Sequence, residues 1–155
     1  MIFRKAKIND TDKIYNTLSK SFEPYKKYFT KKGYNSAVLS SDEIQERIKK
    51  NIFKVYVVTI DNKIVGTTSI IQKNDRYYIR SLAVEPDYQN KGIGLFILEN
   101  IFKIAKKENI KKISLDSFKP LNKAVNFYEK HGFKKTGITK DLYGNEIFEM
   151  LKESV

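Results

Sequence analysis

Three runs of strand-forming residues, divided by short polar breaks, constrain this chain more than any other feature. Val55-Tyr56-Val57-Val58-Thr59-Ile60, then Ile64 to Ile71, then Tyr77 to Val84 are dense in β-branched and aromatic side chains, which suit a pleated, half-buried surface. Asp61-Asn62 and Asn74-Asp75 separate them. Asn and Asp tolerate left-handed backbone angles, so both breaks read as hairpin turns and the three runs as an antiparallel meander.

The flanks alternate helix and strand. Ile2 to Ile8 alternates apolar and basic residues as a half-buried strand does, and Asn9-Asp10-Thr11-Asp12 supplies capping oxygens for a helix over about 12–22 that ends before Pro24. Tyr25 to Leu39 mixes tyrosines, Phe29 and lysines around the breaker Gly33 and reads as a mobile helix-loop. Ser41-Asp42-Glu43-Ile44 opens a second helix, with Ile44 and Ile48 on one face, ending near Asn51. Leu95, Leu98, Ile101, Phe102 and Ala105 recur at helical spacing; Ile113 to Leu115 reads as a strand and Lys123 to Lys130 as a short helix. Phe133 to Thr139 and Glu146 to Leu151, joined through Asp141-Leu142-Tyr143-Gly144-Asn145, form a closing hairpin. The expected fold is mixed α/β (α+β): a mostly antiparallel sheet of about seven strands flanked by about four helices, in the order β-α-α-β-β-β-α-β-α-β-β. One domain over 1–155 is expected, with no linker, repeat or low-complexity stretch.

Composition removes much chemistry. With no cysteine there is no thiol nucleophile and no thiolate metal ligand, and His131, the single histidine, does not make a zinc site unaided. No Gly-x-Ser-x-Gly elbow is present to build a Ser-His-Asp hydrolase around it. No apolar run approaches the ~18 residues of a membrane span, and Met1 to Lys7 carries no signal-peptide core, so a cytoplasmic protein is expected. The net charge of +12 is spread among acidic residues rather than gathered in a block, which argues against a dedicated nucleic-acid surface.

The chemistry points to Leu82-Ala83-Val84-Glu85-Pro86-Asp87-Tyr88-Gln89-Asn90-Lys91-Gly92-Ile93-Gly94, a strand leading through a loop into a helix. Gly92 and Gly94 let backbone approach a ligand, and the first amides of a helix have no intrahelical acceptor, so an anion such as pyrophosphate fits there. Ile97 stands where a dinucleotide-binding Gly-x-Gly-x-x-Gly needs its third glycine, and no phosphate loop ending in Gly-Lys-Ser/Thr exists.

Gln89-x-x-Gly92-x-Gly94 after Leu-Ala-Val resembles the Gln/Arg-x-x-Gly-x-Gly/Ala signature of the GNAT N-acetyltransferase superfamily. Asn122, Ala124, Phe127-Tyr128 and Gly132-Phe133 resemble its second cofactor block at the expected separation. The resemblance covers nearly the whole chain and is weakest between Tyr25 and Asn51. It implies acetyl-CoA as co-substrate, no metal, and transfer of acetyl to a small-molecule amine or a peptide. It further implies that the pantetheine arm pairs with backbone groups of Leu82, Ala83 and Val84, that Gln89, Asn90, Lys91, Gly92, Ile93 and Gly94 surround the phosphates, and that Asn122, Phe127 and Tyr128 complete the cofactor site.

Tyr128 is the implied proton donor to the departing thiolate, a phenol of pKa about 10 being nearly matched to an alkyl thiol; its other role is core packing beside Ala124 and His131. The position that carries a glutamate base in some relatives is Tyr78 here. Glu85 and Asp116 stand near strand ends and read as solvated carboxylates; Asn122 alternatively caps its helix, Lys91 and Lys130 are candidate phosphate contacts, and His131 ends a helix before Gly132. A non-catalytic acyl-CoA-binding or regulatory module and an RNA-associated protein are the rival readings. Tyr25 to Tyr34 and the Lys140 to Asn145 loop are expected to line the acceptor side and favour an aromatic or anionic acceptor. The hairpin edge at Ile147-Phe148 offers a second subunit a strand to pair with.

Overall fold

A computed structural model describes residues 1–155. Its seven strands are β1 (Ile2–Lys5), β2 (Lys54–Ile60), β3 (Lys63–Lys73), β4 (Arg76–Val84), β5 (Lys112–Phe118), β6 (Lys134–Leu142) and β7 (Asn145–Lys152), in one sheet of order β1-β2-β3-β4-β5-β7-β6. All neighbours are antiparallel except β4 and β5. The helices are α1 (Thr11–Phe22), α2 (Lys31–Ala37), α3 (Ser41–Lys50), α4 (Ile93–Lys107) and α5 (Asn122–Lys130).

The meander forms as the sequence requires. Asp61 (φ 50°) and Asn62 (φ 65°) are both left-handed, as is Asn74 (φ 56°), which lets the turns follow the right-handed twist of the strands they join. Tyr143 (φ 51°) and Gly144 (φ 93°) repeat the device in the last hairpin. The first strand is shorter than its alternation suggested, because the Asp10 carboxylate accepts from the Lys7 amide at 2.7 Å and from Arg4 at 2.8 Å and turns the chain at Ile8–Asp10.

The sheet carries a core on each face. A cluster of 18 buried residues gathers α4, α5 and the strands beneath them, including Ile97, Leu98, Ile101, Tyr128 and Phe133. A smaller cluster of 9 gathers Ile14 and Leu18 of α1 and Ile44 of α3 against Val55, Val57 and Ala83. Gly66 on β3 allows α4 to lie close, since a Cβ there would come within 3.2 Å of both Ile93 and Ile97.

Three expectations need correction. Tyr25 to Leu39 does not form a loose helix-loop but a 3-10 turn at Glu23–Tyr28 followed by α2, which brings the helices from about four to five. Gly33 does not break this helix; it lies inside it, where a Cβ would collide with the Asn145 side chain. Ile147 and Phe148 are not a free edge, because β7 is paired on both sides, with β5 and β6; the outer strands are β1 and β6. A smaller difference concerns the cap of α3, which is Ser40: its hydroxyl accepts from the Glu43 amide while the Glu43 carboxylate accepts from the Ser40 amide. No helix is long and apolar enough to cross a membrane.

Candidate active site

The parallel junction in the centre of the sheet is only three residue pairs long. It ends at Tyr78 opposite Ser114. Beyond that point β4 continues to Val84 against β3 alone, and β5 continues to Phe118 against β7 alone. Two strands that part in this way leave facing rows of backbone donors and acceptors without a strand partner, and such groups need another.

A cavity of about 370 Å³ fills the fork. Ile79 to Leu82 line it from β4 and Leu115 to Phe118 from β5; Ala124 and Tyr128 line it from α5, with Phe22, Phe29 and Arg47 across from them. On the β4 side the wall is bulged, with Ser81 and Leu82 opposing the single residue Thr68 and Ser81 at φ 56°. A bulge adds local twist and re-aims side chains, and such features concentrate at sites.

Past the fork the chain turns into α4. Glu85 donates its amide to Val65, and the Gln89 side chain donates to the Val84 carbonyl at 3.1 Å, bracing the loop against the strand end. Asn90 (φ 62°) and Gly92 (φ 81°) are both left-handed. Gly92 is the N-cap of α4 and no side chain caps that end, so the leading amides stay available and the positive end of the helix dipole is open to an anion. A Cβ at Gly92 would meet nothing within 4 Å, so its glycine is required by backbone angle.

Gly94 has a different reason. A Cβ there would sit 3.1 Å from Cζ of Phe127; the missing side chain is filled by a protein ring, locking α5 to the first turn of α4. Alanine at this position should be tolerated, since the ring need yield only a few tenths of an ångström. Valine should lower stability by about 1–3 kcal/mol, the usual cost of overpacking, as a thermal melt of the two variants will show.

The expected site residues divide as follows. Leu82 and Val84 pack towards the larger core while Ala83 belongs to the smaller one, and of the three only Leu82 lines the cavity. Ile93 is buried under α4 and has only its amide to give. Lys91 is exposed with its ammonium 5.4 Å from the Tyr88 ring, and Lys130 is exposed at the far end of α5. Asn122 is exposed and does not cap α5; the N-cap is Leu121 and makes no side-chain cap. His131 ends that helix ahead of Gly132 (φ 96°) and packs on Phe127 at 4.9 Å, away from the cavity lining.

Tyr128 is 8% exposed and lines the cavity. Burial pushes its phenol well above the ordinary tyrosine value, so the group is protonated throughout the neutral range. Transfer to a thiolate is therefore less evenly balanced than an exposed phenol would make it, and hydrogen-bond donation is what the site favours.

Of the two carboxylates, Glu85 is not solvated, contrary to the sequence expectation, whereas Asp116 is half-buried and keeps contact with solvent. Glu85 is buried, paired with Lys20 at 2.9 Å and approached by the Thr17 hydroxyl, and it faces α1 rather than the cavity. Asp116 lines the cavity and both its oxygens lie 3.3 Å from Lys140. Tyr78 ends the parallel junction, with the Arg80 guanidinium 5.2 Å from its ring. Arg47 escaped the sequence reading altogether. It reaches the cavity from α3, donates to Ser81 at 3.3 Å and lies 4.0 Å over Phe53. Desolvation first, and then the nearby Arg80, bring its pKa down to about 10.

Comparison with known proteins agrees with this architecture. In solved structures, the chain aligns with PaiA N-acetyltransferase from Thermoplasma acidophilum in complex with coenzyme A at TM-score 0.82 and 22% identity, covering 98% of each chain. It aligns with Ard1 from Thermoplasma volcanium at TM-score 0.82 and 16% identity, over 99% of this chain and 97% of that one. The ribosomal-protein-S18-alanine N-acetyltransferase from Escherichia coli aligns at TM-score 0.79 and 16% identity, over 99% and 93%. The model of the acetyltransferase (GNAT) family matches residues 12–133. A forked sheet, an uncapped helix terminus beside it and a family match spanning both make this chain a member of the GNAT family, an acetyl-CoA-dependent N-acetyltransferase.

Proposed function

We propose that the protein transfers acetyl from acetyl-CoA to a primary amine by direct attack in a ternary complex, within the fork between β4 and β5. The observation that carries this reading is the parting of the strands after Tyr78, with a cavity between them and an uncapped helix terminus at the open end. Bound acetyl-CoA supplies a thioester carbonyl for the amine and a thiolate leaving group.

The chain's own residues then have distinct tasks. Backbone of Leu82, Ala83 and Val84 pairs with the pantetheine amides, and one amide of this row steadies the carbonyl oxygen as it gains charge. Amides from Lys91 to Gly94 hold the pyrophosphate, with Asn90 giving the loop its curvature and Gln89 keeping it against the strand. Asn122 hydrogen-bonds the arm through its free side-chain amide, and Phe127 packs alongside. Tyr128 donates its hydroxyl to the leaving sulfur. An acceptor that arrives as an ammonium loses one proton before it attacks, and the attacking nitrogen loses a second as the tetrahedral intermediate collapses; Asp116 is the cavity carboxylate available to pass these protons to solvent, directly or through water.

The E. coli neighbour's name gives an alanine of ribosomal protein S18 as its acceptor, so alanine-bearing peptides belong beside small amines in the test. Thiol release from acetyl-CoA should be followed over a panel of amines and peptides, with calorimetric binding on the same sample. Release with one acceptor class bears the reading out. Tight acetyl-CoA binding with no release against any acceptor turns it into an acyl-CoA-binding module, a reading favoured by Tyr78 standing where some relatives carry a glutamate. Absence of acetyl-CoA binding overturns it.

A further inference from the structure

The chain has thirty basic residues and only four are arginine: Arg4, Arg47, Arg76 and Arg80. Arg4 and Arg76 are in ion pairs, with Asp10 and Asp75. Arg47 and Arg80 are in none and both line the cavity. Where lysine supplies nearly all surface charge, arginine at two cavity positions selects the flat, forked donor over the point charge.

Their surroundings are those of a waiting binding site. Arg47 spends one bond on Ser81 and rests on the Phe53 face, and Arg80 rests on Tyr78 with a single long bond of 3.5 Å to the Ile79 carbonyl. Several N–H donors of each fork remain unused. Desolvation first, and then the nearby Arg80, disfavour the charged form of Arg47, and an anion beside the two guanidiniums offsets that cost. Most of the remaining wall is apolar and aromatic, with Phe29 and Phe118 in contact at 4.7 Å between ring centres. The opposing strand carries Asp116, which suits an ammonium.

We propose that Arg47 and Arg80 form a carboxylate clamp, and that the acceptor is a small amine bearing a carboxylate on an aromatic or apolar body. This rests on the acetyltransferase reading and names its substrate class. The carboxylate meets the guanidinium forks on the β4 side, the body lies against Phe29 and Phe118, and the amine points towards β5 and the thioester. The clamp also explains the bulge, since Ser81 at φ 56° is the residue that Arg47 grips.

The test compares acids with their own primary amides. Phenylalanine, 3-amino-3-phenylpropanoate and 4-(aminomethyl)benzoate, each beside its amide, would be assayed with wild type, Arg47→Gln, Arg80→Gln and Arg47→Lys. At least one acid should exceed its amide in kcat/KM by about tenfold or more, the worth of a charge-assisted pair. That ratio should fall close to one in the glutamine variants, through acceptor KM, and stay intermediate in Arg47→Lys, which keeps charge and loses the fork. Calorimetry with acetyl-CoA and a melt on every variant separate loss of the clamp from loss of the fold. An amide preferred throughout, or a glutamine variant that leaves the ratio unchanged, overturns the clamp while leaving the acetyltransferase reading intact. A phosphonate analogue preferred over every acid also overturns it, by assigning the forks to phosphate. Failure of wild type to bind acetyl-CoA is a failure of the underlying function instead.

Discussion

Tyr128→Phe should lower kcat about a hundredfold or more, the usual worth of a positioned proton donor, while acetyl-CoA affinity stays within a few-fold. The reasons are local. The ring is buried against Phe127 and Phe133, so phenylalanine keeps the packing and loses only the hydroxyl. Burial alone raises the phenol's pKa, which means that the folded protein gains nothing by ionising it. Removing the hydroxyl should therefore leave the melting temperature unchanged or slightly higher. A pH–rate profile reads this directly: because the folded pKa is raised, Tyr128 stays protonated, and no falling limb due to it should appear below about pH 10. The variant should show the wild-type rising limb, from acceptor and base, at a reduced plateau. Full turnover in Tyr128→Phe would remove the donor from the mechanism and leave the residue as core.

The second large effect is expected at Asn145, far from the sulfur. Its side chain accepts from the Thr30 amide at 2.9 Å and donates to the Tyr28 carbonyl at 3.1 Å, and Thr30 in turn donates to the Tyr143 carbonyl at 2.7 Å. One buried amide thus ties the segment before α2 to the turn between β6 and β7. Asn145→Ala leaves a donor and an acceptor to find water, costing about 1–3 kcal/mol, or a drop of roughly 3–10 °C in Tm for a chain of this size. Because Phe29 lines the cavity from the tied segment, the acceptor KM should rise several-fold more than the KM for acetyl-CoA. Equal rises in both would mean that the tie supports the whole fold and not the acceptor wall.

What the sequence made legible follows from the range of the interactions involved. The meander was readable because Asp61-Asn62 and Asn74-Asp75 are local signals for local geometry, and the α4 terminus because an N-cap without a capping side chain is visible in the sequence itself. The regular helix α2 was not legible because Gly33, a breaker by composition, is required by Asn145 more than a hundred residues away. Glu85 and Asp116 read as solvated because nothing near them in sequence announces Lys20 or Lys140. The inner position of β7 depends on which strand returns to β5, a question of topology that hairpin signals leave open. Arg47 sits in a strongly charged helix beside Glu43 and Glu46, where any cation looks like surface. The signal that was available is the scarcity of arginine in a lysine-rich chain.

The unequal cores on the two faces of the sheet set how such a protein can diverge. The side holding α4 and α5 is anchored by twice as many buried residues as the side holding α1 and α3, and the segment before α2 is tied to the β6–β7 turn through the amide of Asn145. Replacements at the exposed positions of residues 23–39 should therefore cost less stability than replacements in the larger core, with buried Gly33, Val38 and Leu39 the exceptions. The acceptor wall, carried in part by Phe29 of this segment, can therefore be altered at exposed positions while α4 and the loop before it stay anchored in the larger core.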